Sequence, residues 1–141
     1  MENKKTRREF IQASTAVAGS MAFSGAILGQ SSSSTGIPTR ILGRTGVPVS
    51  LLGVGGWHIG AVPEKAESIR IMHAALDEGI TFFDNAWDYH NGKSEEWMGE
   101  ALAVGGKRAK VFLMTKNCER DYAGSMRNLE ESLRRLKTDH L

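Results

Sequence analysis

Asp84, Tyr89 and Lys116 are side chains of the types that together handle a proton. A tyrosine hydroxyl normally ionises near pKa ~10 and gives up its proton poorly at neutral pH. A nearby ammonium favours the phenolate and eases that transfer. A carboxylate beside the ammonium keeps it charged and in place. The trio makes a tuned general acid, able to protonate a carbonyl oxygen while hydride arrives at carbon. Singly, each has a plainer reading: Asp84 as a turn cap, Tyr89 as a half-buried loop aromatic, Lys116 as a solvated strand end. His58 and His90 flank the same region and read as exposed loop residues, and His73 as a core or boundary histidine on a helix. The single Cys118 cannot close an intramolecular disulfide. With no activating base nearby it reads as structural. No metal site is visible.

The elements that must position these groups alternate. Arg40-Ile41-Leu42 and Val47-Pro48-Val49 flank the turn-like Gly43-Arg44-Thr45-Gly46 and predict a hairpin. Leu51 to Gly55 reads as a buried first strand, with Leu52 and Val54 facing inward. Glu64 to Glu78 reads as a helix, with Ile69, Met72, His73, Leu76 and Ile80 on one face. Ile80 to Asp84 is a second strand, with Phe82 expected to face inward. Ser94 is the expected cap of a second helix, with Glu95 and Glu96 in its first turn and Trp97, Met98, Ala101 and Leu102 on its apolar face. Val111 to Thr115 is a third strand. Met126, Leu129, Leu133 and Leu136 mark a third helix, whose outer face carries Glu130 and Glu131 four residues before Arg134 and Arg135. Such alternation means parallel βαβ units, and in a (β/α)8 barrel Asp84, Tyr89 and Lys116 would share the face where active sites sit. A dinucleotide-binding Rossmann turn fits poorly. After Gly53-Val54-Gly55-Gly56-Trp57 the sixth place is His58, and the next helix is expected only near Glu64.

The run Asp84-Asn85-Ala86-Trp87-Asp88-Tyr89, followed by Gly92, Ser94, Glu95 and Gly99, resembles the aldo-keto reductase motif D-x-A-x-x-Y-x-x-G-x-S-E-x-x-x-G at every defined position. Val111 to Lys116 is similar to that family's third strand, which ends in Thr-Lys. Leu42 to Gly46 and Gly53 to Trp57 look like its barrel-bottom cap and first strand. The resemblance spans Thr39 to Leu141. It implies an α/β fold, the N-terminal part of a (β/α)8 TIM-type barrel, with about three βα units after the hairpin. It also implies NADPH as cofactor and interconversion of carbonyl and alcohol on a small carbonyl or sugar-like substrate. By resemblance Tyr89 is the acid, Lys116 its modulator and Asp84 the lysine's partner. Gly56 and Trp57, with Asp84, would lie at the cofactor.

The first residues read as an address. Lys4, Lys5, Arg7 and Arg8 precede a stretch from Phe10 to Thr39 with no charged residue. Thr6-Arg7-Arg8-Glu9-Phe10-Ile11 resembles the twin-arginine export motif, and the apolar run is weaker than a membrane span needs. The expected division is a signal peptide at 1–29, a Ser/Gly linker at 30–38 and a partial barrel at 39–141. The signal implies the Tat translocon as a partner and a periplasmic location, or a membrane tether if it is not cleaved. The whole chain has a net charge of +2. Without residues 1–29 its acidic and basic side chains balance, which leaves no electrostatic case for nucleic acid.

A barrel of this type runs to about 250 residues, so under half of one is expected here. The family's catalytic histidine ends the fourth strand. His140 precedes the body of that strand and is expected near the opposite end of the barrel. These 141 residues by themselves are therefore expected to be inactive. An alternative from another functional class is an inactive remnant or a nucleotide-binding module of the same fold.

Overall fold

The structure, a computed structural model, describes residues 36–141. The signal expected at 1–29 and the linker up to residue 35 lie outside the described residues.

The chain opens with an antiparallel hairpin, β1 (Thr39–Ile41) and β2 (Pro48–Ser50), in which Arg40 faces Val49. The Thr45 hydroxyl donates to the Leu42 carbonyl at 2.7 Å and closes the turn. Ser50 fastens the hairpin to the body. Its Oγ accepts from the N–H groups of Thr81 (2.8 Å) and Phe82 (3.2 Å).

A parallel sheet follows, ordered β3 (Gly53–Gly55), β4 (Phe82–Asp84), β5 (Phe112–Met114). The hairpin therefore sits at the N-terminal end of β4, away from Asp84. Val54, Phe83 and Leu113 stand side by side in register and are all buried. Helices α1 (Gly56–Ala61), α2 (Lys65–Asp77), α3 (Lys93–Leu102) and α4 (Tyr122–Leu136) complete the fold, with α3 touching each of the other three. Met72, Met98, Ala101, Leu102 and Leu136 join the three strand residues in one core. This is the alternation of βα units expected of a partial (β/α)8 barrel. Among the described residues no helix is long and apolar enough to cross a membrane, and no group of side chains could hold a metal ion.

Several local expectations need correction. The first strand is confined to Gly53–Gly55, and Leu51 and Leu52 are exposed. Leu52 shares the parity of Val54 but lies beyond the ladder, so alternation does not carry it inward. Phe82 faces away from Phe83 and stacks on Phe112, with ring centres 5.7 Å apart. A helix begins at Gly56, directly after β3, and not only near Glu64. Helix onset therefore does not count against a Rossmann turn, although His58 still breaks the glycine pattern.

Ser94 does not cap its helix. The cap position is Gly92, in the left-handed region at φ 87°, and Ser94 Oγ donates to the Gly56 carbonyl at 2.6 Å. In α4 the buried positions are Gly124, Asn128, Ser132 and Leu136, while Met126 and Leu129 are exposed. Of the expected apolar stripe only Leu136 is buried, because α4 meets α3 through a face of small and polar residues.

Candidate active site

Parallel register levels the C-terminal ends of the three strands: Gly55, Asp84 and Met114 are in line. Everything singled out for chemistry leaves the sheet at that edge. Gly56 and Trp57 open α1, Asp84 ends β4, Tyr89 opens a 3-10 turn (Tyr89–Gly92), and Lys116 follows β5. Backbone pairing continues past the strands. Asn85 N–H donates to the Met114 carbonyl (2.9 Å) and Trp87 N–H to the Lys116 carbonyl (3.0 Å). The loop that carries Tyr89 and the segment that carries Lys116 thus run on together.

The side chains meet. Lys116 Nζ donates to Asp84 Oδ1 at 2.5 Å and to the Asn85 carbonyl at 2.5 Å. Its ammonium lies 5.2 Å from the centre of the Tyr89 ring, within the range of a cation–π attraction. The Trp57 indole is 52% exposed and meets Tyr89 edge to face, with ring centres 5.3 Å apart. Gly56 is tight against Asn85, and a Cβ there would collide with the Asn85 amide. All five predicted positions are therefore brought to one mouth. The Asn85 carbonyl, as second acceptor for Lys116, was not foreseen. A backbone acceptor leaves no trace in residue type.

His90 is not free to reach a ligand. Its Nε2 lies 2.7 Å from the Trp57 carbonyl and its ring 4.5 Å from the Trp57 ring. It adopts φ 52°, followed by Asn91 at φ 56°, left-handed values that are costly for non-glycine residues. His58 is exposed. His73 Nε2 lies 2.8 Å from the Ala101 carbonyl and ties α2 to α3, as expected of a boundary histidine. The His140 carbonyl accepts from Arg108, which precedes β5, so His140 is at the far end from Lys116. Cys118 is exposed. The little burial it has, and then the neighbouring Asp88 carboxylate, push its thiol above the usual range, the opposite of an activated nucleophile.

Behind the mouth lies a polar network that the sequence reading missed. Glu95 is fully buried. One of its oxygens accepts from Thr115 Oγ1 at 2.7 Å and the other from Arg135 at 3.3 Å. Arg135, whose side chain is only 10% exposed, also donates to the Trp87 carbonyl (2.9 Å) and to Glu131 (2.8 Å). Glu131 accepts from the Trp87 indole N–H at 3.0 Å. The pair expected on the outer face of α4 is thus half wrong. Arg134 is on the surface, but Arg135 points into the protein.

The aldo/keto reductase family profile matches residues 51–141. The chain belongs to the aldo/keto reductase family. Aldo-keto reductase YhdN of Bacillus subtilis is 39% identical over 98 residues, covering 62% of this chain and 29% of its own length. The holo form of an aldo-keto reductase from Bacillus halodurans superposes with a TM-score of 0.64 at 31% identity, over 74% of this chain and 38% of that one. An aldo/keto reductase from Klebsiella pneumoniae, solved in complex with NADP and acetate, gives 0.62 at 34% identity, over 67% of this chain and 34% of that one. This aldo/keto reductase chain therefore spans about a third of the length of the relatives it matches. The solved relatives and the parallel sheet agree on the barrel fold, so the mouth lies at the C-terminal ends of barrel strands, where such barrels keep their active sites.

Proposed function

We propose that this protein is an NADPH-dependent oxidoreductase that interconverts a small carbonyl or sugar-like substrate and its alcohol. The observation that carries the reading is the grouping of Lys116, Asp84 and Tyr89 at one mouth. In this reading Tyr89 passes its hydroxyl proton to the carbonyl oxygen. The Lys116 ammonium favours the negative charge left on the tyrosine oxygen. Asp84 and the Asn85 carbonyl hold that ammonium in place.

The cofactor assignment is supported by relatives solved with NADP or NADPH bound. It is also supported by the exposed Trp57 indole, an apolar surface for a flat ring next to Tyr89. Gly56, Trp57 and Asp84 would line that site. When bound, NADPH supplies the hydride that the carbonyl carbon receives. In a carbonyl-reducing form of the protein, Tyr89→Phe is expected to lower kcat by about 10²–10⁴-fold, the usual share of general acid catalysis, with NADPH binding retained. A near-normal kcat would sink the role of Tyr89. NADPH binding without carbonyl turnover even where the rest of a barrel is present would favour the nucleotide-binding module.

We further infer export through the Tat route to the periplasm. The support is Arg7-Arg8 before a weakly apolar, uncharged run. Replacing both arginines with lysine in a fusion to a folded reporter should stop export, and undiminished export would refute the address.

A further inference from the structure

We propose that Arg135 is a positioning residue for the candidate active site: from helix α4 it sets the loop that carries Tyr89 and, through Glu95, the segment that carries Lys116. The inference rests on the proposed roles of Tyr89 and Lys116 for its meaning. Its geometry stands on its own.

A guanidinium presents several donors in a rigid planar fork. Here the fork reaches three acceptors: the Trp87 carbonyl, Glu95 and Glu131. Trp87 is two residues before Tyr89, and its ring also lies beneath the guanidinium, with Cζ 5.3 Å from the ring centre. Its backbone is therefore gripped on both sides, N–H by the Lys116 carbonyl and C=O by Arg135. Its indole N–H is held by Glu131, which Arg135 also holds. The buried Glu95 carboxylate joins the two halves of the site. One oxygen takes Arg135, and the other takes Thr115, the residue before Lys116. A change at Arg135 thus propagates to both the acid and its lysine without touching either.

This also explains motif positions that carry no proton chemistry. A Cβ on Gly92 would collide with the Arg135 guanidinium, and one on Gly99 would collide with the backbone of Arg135 and Leu136. Gly92, Glu95 and Gly99 are the space, the counter-charge and the backbone clearance that let Arg135 in.

The test uses the full chain with ring-13C-labelled tyrosine. There are two tyrosines. Tyr122 is 82% exposed and serves as the internal reference. Tyr89 stands perpendicular to Trp57 with ring centres 5.3 Å apart, so its NMR signal is expected to be displaced by that ring and to report where it sits. In Arg135→Lys, which keeps the charge and loses the fork, and in the near-isosteric Glu95→Gln, the Tyr89 signal is expected to lose its displacement and move toward that of Tyr122. The amide of Trp87 should exchange faster, while amides of α2 keep their protection. A merely structural Arg135 would lower the melting temperature and leave the Tyr89 signal in place. That result, in either folded variant, would overturn the proposal. Because the signal reads position and not turnover, failure of the Tyr89 proton-donor role would leave this outcome unchanged.

Discussion

Lys116 and Asp84, 32 residues apart in sequence, close a 2.5 Å ion pair at the ends of neighbouring strands. The pair is half open to water, with side chains 42% and 36% exposed. Ion pairs so exposed are worth about 0–1 kcal/mol. It is therefore not there chiefly for stability.

Lys116→Met is accordingly expected to change the melting temperature little. Where the protein reduces carbonyls, the same change should depress kcat strongly, because the charge next to the Tyr89 ring is gone. Parallel melts and initial rates check this. A large loss of stability with normal turnover would contradict it.

Two adjacent arginines of α4 should behave in opposite ways. Arg134 is 70% exposed and reaches Glu131 at 3.4 Å, so Arg134→Ala should cost under about 1 kcal/mol. Arg135→Met leaves the fully buried Glu95 carboxylate without its counter-charge. Removing one partner of such a buried pair typically costs about 3–5 kcal/mol. Urea melts of the two variants would show the contrast, and equal costs would refute the burial argument.

Cys118 should alkylate slowly at neutral pH although it is exposed. The little burial it has and the Asp88 carboxylate both disfavour its thiolate, which is the reacting form. The rate with iodoacetamide should climb as pH rises past that of an ordinary thiol. Asp88→Asn should speed the reaction at fixed pH, and an unchanged rate would remove Asp88 as a cause.

The 141 residues expressed by themselves are expected to give no carbonyl reduction. Lys116, Asp84 and Trp57 are all open to solvent. General acid catalysis of this kind gains from a mouth that excludes water. NADPH oxidation followed with an excess of aldehyde is the check, and steady turnover would show that the residues present suffice.

Much of the architecture was legible because it is local. Hydrophobic period marks α2 from its own residues, and runs such as Phe82–Asp84 and Phe112–Met114 mark strands. The motif from Asp84 to Gly99 likewise lies within one stretch of chain, so the candidate acid and its carboxylate could be named without a fold.

Sequence by itself determined the family, the βα order and the choice of Asp84, Tyr89 and Lys116 as candidates. Only the tertiary structure decided which faces became buried. Glu131 and Arg135, four apart on a helix, read as a surface pair, and nothing local says otherwise. Arg135 turns inward because α3 and its cap, about 40 residues earlier, bring Glu95 and the clearances at Gly92 and Gly99 to the same place. Leu52 reads as core by alternation yet stays exposed, because the ladder does not reach it. Both outcomes depend on partners distant in sequence, and burial of a charge or an apolar side chain is settled by what packs against it, not by its own neighbours.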